Sequence, residues 1–514
     1  MAHDLNIEAL VVFAAFFILV TVLGFFAARW RRGDLAKLDE WGLGGRQFGT
    51  IVTWFLVGGD FYTAYTVIAV PAAVFGTGAA AFFALPYTIV VYPIVFLIMP
   101  RLWAVSKRNG YVTPADFIHG RYGSRPLVLA VALTGLLATM PYIALQLVGM
   151  QVVIAAMGVT GDSWLARDMP LIIAFIILAA YTYSSGLRAP ALIALVKDTM
   201  IYIMVLAAVI IIPIELGGYD HIFDLASEAL SHRSPARSII LPESGYSAYA
   251  TLALGSAMAA FMYPHTITGV LSSASGGVIR RNAVLLPAYT FLLGLIALLG
   301  YMAIAMGVKP SSPNFAVPDL FLAAFPSWFA GFALAAIAIG ALVPAAIMSI
   351  AAANLFTRNV YREFINPKCG HADEAKVAKL VSLVVKLGAL GFILFLDPQF
   401  SIEFQLLGGC WILQTFPAIV FGLFTRKLHS TALLIGWAAG MASGTWLAFA
   451  NGLKPVYTLS VGDFHYTAYI GLFAFALNLV LAIVLTPICD RLGLARGKDR
   501  TEEHHYELTA AEKA

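Results

Sequence analysis

Apolar runs of roughly 20 residues recur from one end of the chain to the other, separated by short breaks of charged, glycine or proline residues. A helix rises ~1.5 Å per residue, so about 20 apolar residues match the hydrocarbon thickness of a bilayer. The pattern predicts thirteen transmembrane helices, near 7–28, 47–75, 79–103, 126–158, 165–185, 190–215, 248–273, 281–307, 327–356, 375–396, 400–424, 430–450 and 466–489, called spans one to thirteen below. The least distinct break is Asp397-Pro398, where two runs nearly touch. The longest connection, 217–247, is too short for a soluble domain and reads as an external loop holding one short helix. The tail, 491–514, is polar and reads as mobile.

Composition turns this pattern into a class. With 60% hydrophobic and 12% charged residues, and a mean hydropathy of +0.84, the chain carries more apolar surface than a soluble core absorbs. An all-α integral membrane protein is expected, with the lipid bilayer as its solvent. The net charge of +4 is small and its lysines and arginines are dispersed, which excludes a nucleic-acid binder. Cys369, Cys410 and Cys489 are too few and too scattered for a disulfide framework or a metal cluster. The first run follows acids and has no basic leader or small-residue cleavage site, so it reads as a retained helix.

The basic residues set orientation. With the N-terminus outside, 25 of the 32 lysines and arginines fall in cytoplasmic segments, and only Arg167, Arg233, Arg237, Lys309 and Lys454 fall outside. Lys197 and Lys386 lie within helices. No His-Glu-x-x-His, Gly-x-Ser-x-Gly or phosphate-binding loop is present, so neither an enzyme nor an enzymatic cofactor is expected. No segment suggests an obligate protein partner.

Three motifs narrow the class. Tyr111-Val-Thr-Pro-Ala-Asp-Phe-Ile-His-Gly-Arg-Tyr-Gly123, Tyr142-Ile-Ala-Leu-Gln146 and Phe356-Thr-Arg-Asn-Val-Tyr361 resemble the sodium:solute symporter family. Ser185-Gly-Leu-Arg-Ala-Pro190, Tyr263-Pro-His-Thr266 and Ala341–Ser349 are similar to its bacterial monocarboxylate permease branch. The resemblance implies uptake of lactate, pyruvate and sometimes alanine across a bacterial inner membrane. It also implies LeuT-type inverted five-helix repeats at 47–216 and 248–425. They would be preceded by an extra helix and basic loop (1–46), joined by the 217–247 loop, and followed by two helices (426–490) and the tail (491–514). Such a fold needs a break in the first helix of each repeat. Gly58-Gly59-Asp60 lies ~20 Å into span two, about mid-bilayer. Gly255-Ser256 and Pro264 are the candidates in span seven.

Asp60 is the most informative position, since a carboxylate there costs at least ~2.5 kcal/mol and calls for a partner, a cavity or a proton. It reads either as a cap on the broken helix or as a cation- or proton-coupling group. Lys197-Asp198 follows in span six, where Lys197 either snorkels to the cytoplasmic surface or reaches inward. By the resemblance, a sodium site would join Gly59 to two neighbouring hydroxyl residues of span nine. Ungapped counting puts Val343 and Pro344 there, with no side-chain oxygen, and Ser349 more than a turn away. Lys197 is then expected to replace the ion beside Asp60 and Asp198, giving proton coupling, with sodium as the alternative. Amides near Phe61 to Thr63, with the Thr63 and Thr66 hydroxyls, are expected to bind the substrate carboxylate. Tyr62, Tyr65, Gln146, Tyr263 and Trp411 are candidate lining residues, each also compatible with ordinary packing. His265 reads as a structural histidine on the cytoplasmic side of mid-membrane rather than a proton relay, and Lys386 has no identifiable partner.

Overall fold

The computed structural model describes residues 5–30, 33–159, 164–395 and 401–513, with only the backbone at 164–168, 170, 392–395 and 401–404. Among the described residues nine helices are long and apolar enough to cross a bilayer. Spans two and seven are broken into shorter halves, and the stretches expected as spans five and ten include residues described by backbone alone. The junction at Asp397-Pro398 lies outside it too.

Span nine, Ser327–Phe356, is the axis of the bundle, and its most apolar stretch is wholly buried. Its run of alanine and glycine lets spans one, four, six and ten approach closely, which is how helices pack where lipid competes for apolar surface. Span one, Ile7–Phe26, is peripheral, with Ile7, Val11, Ile18 and Val22 exposed. Phe291, Leu387, Trp446 and Ile483 continue this outward apolar belt, the surface a bilayer would cover.

Both expected breaks are present. Span two runs from Thr50 through a π-turn at Trp54–Gly58, loses helical form around Gly59–Thr63, and resumes to Thr77. Span seven stops at Ala260 and restarts at Pro264. Tyr263 is extended (φ −61°, ψ 136°), and Pro264, which lacks an N–H and has its φ preset, starts the second half. Of the two candidates, Pro264 therefore supplies the break. Gly255 stays helical, where a Cβ would press on the Tyr469 ring.

The first and third motifs lock together at one end of the bundle. Thr113 caps the loop helix Pro114–Tyr122 in a reciprocal capping box with Asp116. Its hydroxyl bonds Asn359 Oδ1 (2.6 Å), Asn359 Nδ2 donates to Asp116 (2.8 Å), and Arg358 binds Glu374 (2.8 Å).

The all-α membrane class holds, with one local addition and one expectation to correct. The chain is not wholly helical: Val456–Val461 and Phe464–Tyr469 pair as an antiparallel hairpin in the connection to span thirteen, a segment rich in β-branched and aromatic residues with Gly462-Asp463 at its turn. The tail is not free but packed on the bundle, with Thr501 and Tyr506 buried. The 217–247 connection holds one main helix, Tyr219–Ser231, as expected.

Candidate functional site

The two breaks face each other across a cavity of about 50 Å³. A water-sized occupant takes roughly 10–15 Å³ on this measure, so the space suits a few waters or a solute of a few heavy atoms. Asp60, Phe61 and Tyr65 line it from span two, and Tyr263, His265 and Thr266 from span seven. Tyr87, Tyr142 and Tyr469 close the wall with aromatic rings.

Asp60 is 7% exposed. Its Oδ2 accepts from the Thr266 hydroxyl at 3.3 Å and lies 3.6 Å from His265 Nε2. Its Oδ1 has no partner among the described residues, and neither does His265 Nδ1. The His265 ring is wedged between Tyr142 and Tyr263, with centroids 5.4 and 5.2 Å away. His265 is therefore misplaced by sequence counting. Because span seven restarts at Pro264, the histidine falls in the first turn of the new half, at the depth of the break. The signal was there in Pro264-His265 itself, a titratable group beside a helix breaker in an apolar run.

Beyond Asp60, Phe61, Tyr65 and Tyr263, the expected residues do other work. The Phe61 amide donates to Gly58 O (2.9 Å), the Tyr62 amide to Gly59 O (3.2 Å) and the Thr63 amide to Thr66 Oγ1 (2.8 Å). No amide of this stretch is left for an anion, which corrects the expected carboxylate cradle. The same pressure explains it: every backbone group released by a break inside a membrane must find a partner. Thr63 Oγ1 accepts the Tyr65 amide (3.0 Å), and Gln146 Oε1 accepts that of Ala64 (2.9 Å). Thr63, Thr66 and Gln146 thus pin the unwound segment and do not line the cavity. Tyr62 turns away, donating to Tyr289 O (3.1 Å) and packing at a tilt against that residue's ring. Trp411 donates to Thr445 (2.9 Å), at the packing of spans eleven and twelve. Donors for a carboxylate must come from side chains such as His265, Thr266 and the tyrosines.

A second cluster sits behind the break. Lys197 is fully buried, so the snorkelling alternative is not realised. Its Nζ donates to Gly59 O (2.5 Å) and Tyr62 O (3.1 Å) and pairs with Asp198 Oδ1 (2.9 Å). Two of the ammonium's three donors are taken by these carbonyls, and Asp198 faces it as an ion pair. Asp198 Oδ2 in turn accepts from Tyr289 (2.7 Å). Glycine is required at 59, because a Cβ would lie 2.6 Å from Asp198 Oδ2 and 3.0 Å from Lys197 Nζ. A cation is therefore already seated on the carbonyls that the break releases. Span nine abuts the same segment: a Cβ on Gly340 would be 4.0 Å from Tyr62 O. Further along span nine Val343 and Pro344 are buried and carry no side-chain oxygen, and Ser349 donates to its own helix at Ala346 O (2.8 Å). Lys386 is buried, and its Nζ has no partner among the described residues.

The wider cavity, about 1090 Å³, lies between this site and the end of the bundle that carries the hairpin. Leu406 borders both spaces, and Arg237 and Lys454 add basic side chains to the lining of the wider one.

The profile of the sodium:solute symporter family matches residues 41–440. The chain is 60% identical to a "Monocarboxylate transport permease protein" of Rhizobium johnstonii, over 95% of this chain and 98% of that one. It is 33% identical to an uncharacterized symporter, YodF, of Bacillus subtilis (94% of each chain), and 23% identical to the sodium/proline symporter of Staphylococcus aureus (95% and 93%). Among solved structures, a Na⁺-coupled sialic acid symporter in a substrate-bound outward-open state superposes with a TM-score of 0.74 over 96% of this chain and 99% of that one. At 15% identity that likeness carries the fold, which is the LeuT-type architecture.

Proposed function

Since the chain belongs to the sodium:solute symporter family, we propose that it takes up small monocarboxylates by alternating access, coupled to protons rather than to sodium. Family and fold are those of multi-pass membrane transporters. Lactate and pyruvate are the leading substrates and alanine a further one. The name of the Rhizobium relative supports the monocarboxylate class, and so does a small cavity walled by aromatic rings and hydroxyl donors. The distribution of basic residues supports a bacterial inner-membrane location with the N-terminus outside.

The observation that carries the coupling is the Lys197 ammonium on Gly59 O and Tyr62 O. A second cation at these carbonyls would face the Lys197 ammonium at contact distance, and Val343 and Pro344 of span nine offer it no side-chain oxygen. Coupling then falls to the cavity. A monocarboxylate brings one negative charge into a space where an uncompensated charge is costly, and a proton on Asp60 or His265 offsets it. Asp60, Thr266 and His265 lie in a chain through which that proton is held and passed. Loading from one side and unloading to the other ties solute movement to the proton gradient.

Sodium coupling is the second reading, favoured by the family and by its sodium-coupled members. The substrate class is tested by uptake of labelled lactate into proteoliposomes, competed with pyruvate, acetate, alanine, proline and succinate. Competition by pyruvate but not succinate or proline is expected, and competition by proline alone would defeat the monocarboxylate reading.

A further inference from the structure

The tail, residues 495–513, makes a continuous path across one end of the bundle, the end away from the hairpin. Its first contact is backbone on backbone. Gly497 lies so close to the Tyr122 carbonyl that a Cβ would collide with it, and Gly123, in the left-handed region (φ 55°), meets Lys498 in the same way. The Arg500 amide then donates to Gly120 O (2.7 Å). Between them Asp499 pairs with Arg121, a residue itself 5% exposed whose guanidinium donates to Gly422 O (2.8 Å) and Thr425 O (2.7 Å). One arginine of the loop helix is thus shared with the end of span eleven and the tail.

Tyr506 is the anchor. It is 6% exposed, sits edge-on to Phe117, lies beneath the Arg101 guanidinium (4.9 Å), and bonds the Thr501 hydroxyl (2.7 Å). Beyond it Arg108, at the end of span three, donates to Glu512 (3.0 Å), and Leu508 fills the space a side chain at Gly276 would need. The exposed Lys107–Glu512 pair adds little, since such pairs are worth ~0–1 kcal/mol. The buried tyrosine and the shared arginine carry the attachment.

These contacts join span three and the loop helix, from the first five-helix unit, to Gly276 and the end of span eleven, from the second. We propose that residues 495–513 are a strap that holds this face of the carrier closed, and that the strap must let go before the face opens. It works as a built-in brake: it lowers the population of the state open at the tail face and so sets the turnover rate. Bonds made in only one of two states shift their balance by the free energy of those bonds. The inference rests on transport by alternating access, and not on the identity of the solute or the ion.

The test uses a reporter that needs neither. In the full chain, with Cys369, Cys410 and Cys489 replaced by serine, Ser272→Cys places a thiol at a fully buried position at the tail end of span seven. Truncation after Leu494 is expected to raise its rate of maleimide labelling about tenfold, within the usual range of coupling between two states. Asp499→Asn with Tyr506→Phe keeps the whole tail and is expected to give an intermediate rise. Unchanged labelling in either protein, when it is monodisperse and melts as the parent does, overturns the strap. Should the truncated chain not fold, the double substitution alone decides. Absence of lactate uptake would sink the functional reading without touching this result.

Discussion

Replacing Lys197 with methionine keeps an unbranched apolar stem one atom shorter and removes its charge and all its donors. Two carbonyls, Gly59 O and Tyr62 O, lose the ammonium, and Asp198 is left with Tyr289 as its hydrogen-bond donor. Breaking a buried ion pair by deleting one partner costs about 3–5 kcal/mol, because the remaining charge is uncompensated. Some of that is recovered if water enters or Asp198 takes up a proton, so a loss of about 3 kcal/mol is a working figure, equivalent to roughly a hundredfold in an equilibrium. The cost falls on the broken stretch of span two, which these bonds hold in its non-helical shape. Uptake driven by a pH gradient should therefore fall about a hundredfold in Lys197→Met. Lys197→Met with Asp198→Asn removes the orphaned charge as well, and should recover much of the thermal stability but none of the coupled uptake. The pair is close enough to demand a full double-mutant cycle. Proteoliposome uptake and melting of the purified carrier are the assays. If Lys197→Met alone moves lactate at the parent rate with the parent dependence on pH, the assignment of this lysine is wrong.

Other consequences follow from the same geometry. Asp60→Asn should abolish accumulation driven by a pH gradient yet keep lactate–lactate exchange, read as labelled counterflow; unimpaired accumulation would remove Asp60 from the coupling. Gly59→Ala puts a methyl 2.6 Å from Asp198 Oδ2 and should lose most transport while Gly76→Ala, with nothing near its missing side chain, stays near the parent level. His265→Ala should raise the KM for lactate at least about tenfold with little change in melting temperature, since the imidazole faces the cavity and its Nδ1 holds no other group. Thr113→Ala removes the cap of the loop helix and its bond to Asn359, and should lower stability by about 1 kcal/mol, seen as a lower melting temperature without loss of substrate affinity.

The large features of this fold are written in apolar periodicity, and the breaks are written in residues that cannot continue a helix. Gly58-Gly59 and Pro264 were both visible for that reason, as was Asp60, a charge out of place in lipid. Lys197 was visible as chemistry, but its direction was not, because a lysine some seven residues into a helix can point either way along it. What sequence could not give was the fate of the released backbone. Phe61, Tyr62 and Thr63 looked like open amides, and only three dimensions reveal that neighbouring carbonyls and the Thr66 hydroxyl had already taken them. The lining tyrosines come from five separate segments, and nothing in the chain order links Tyr87 or Tyr469 to Asp60. The tail misled in the opposite sense. Its polar composition suggested mobility, while its partners, Arg108, Arg121 and Gly276, are hundreds of residues away.

Ion dependence in a purified system tests the central claim most directly. Proteoliposomes holding the full chain would be given labelled lactate under a pH gradient alone, a sodium gradient alone, and a membrane potential alone. Accumulation with the pH gradient in sodium-free buffer, unchanged when sodium is added, is the expected result. Accumulation that requires a sodium gradient and ignores pH would contradict the account and leave Lys197 a structural fastener.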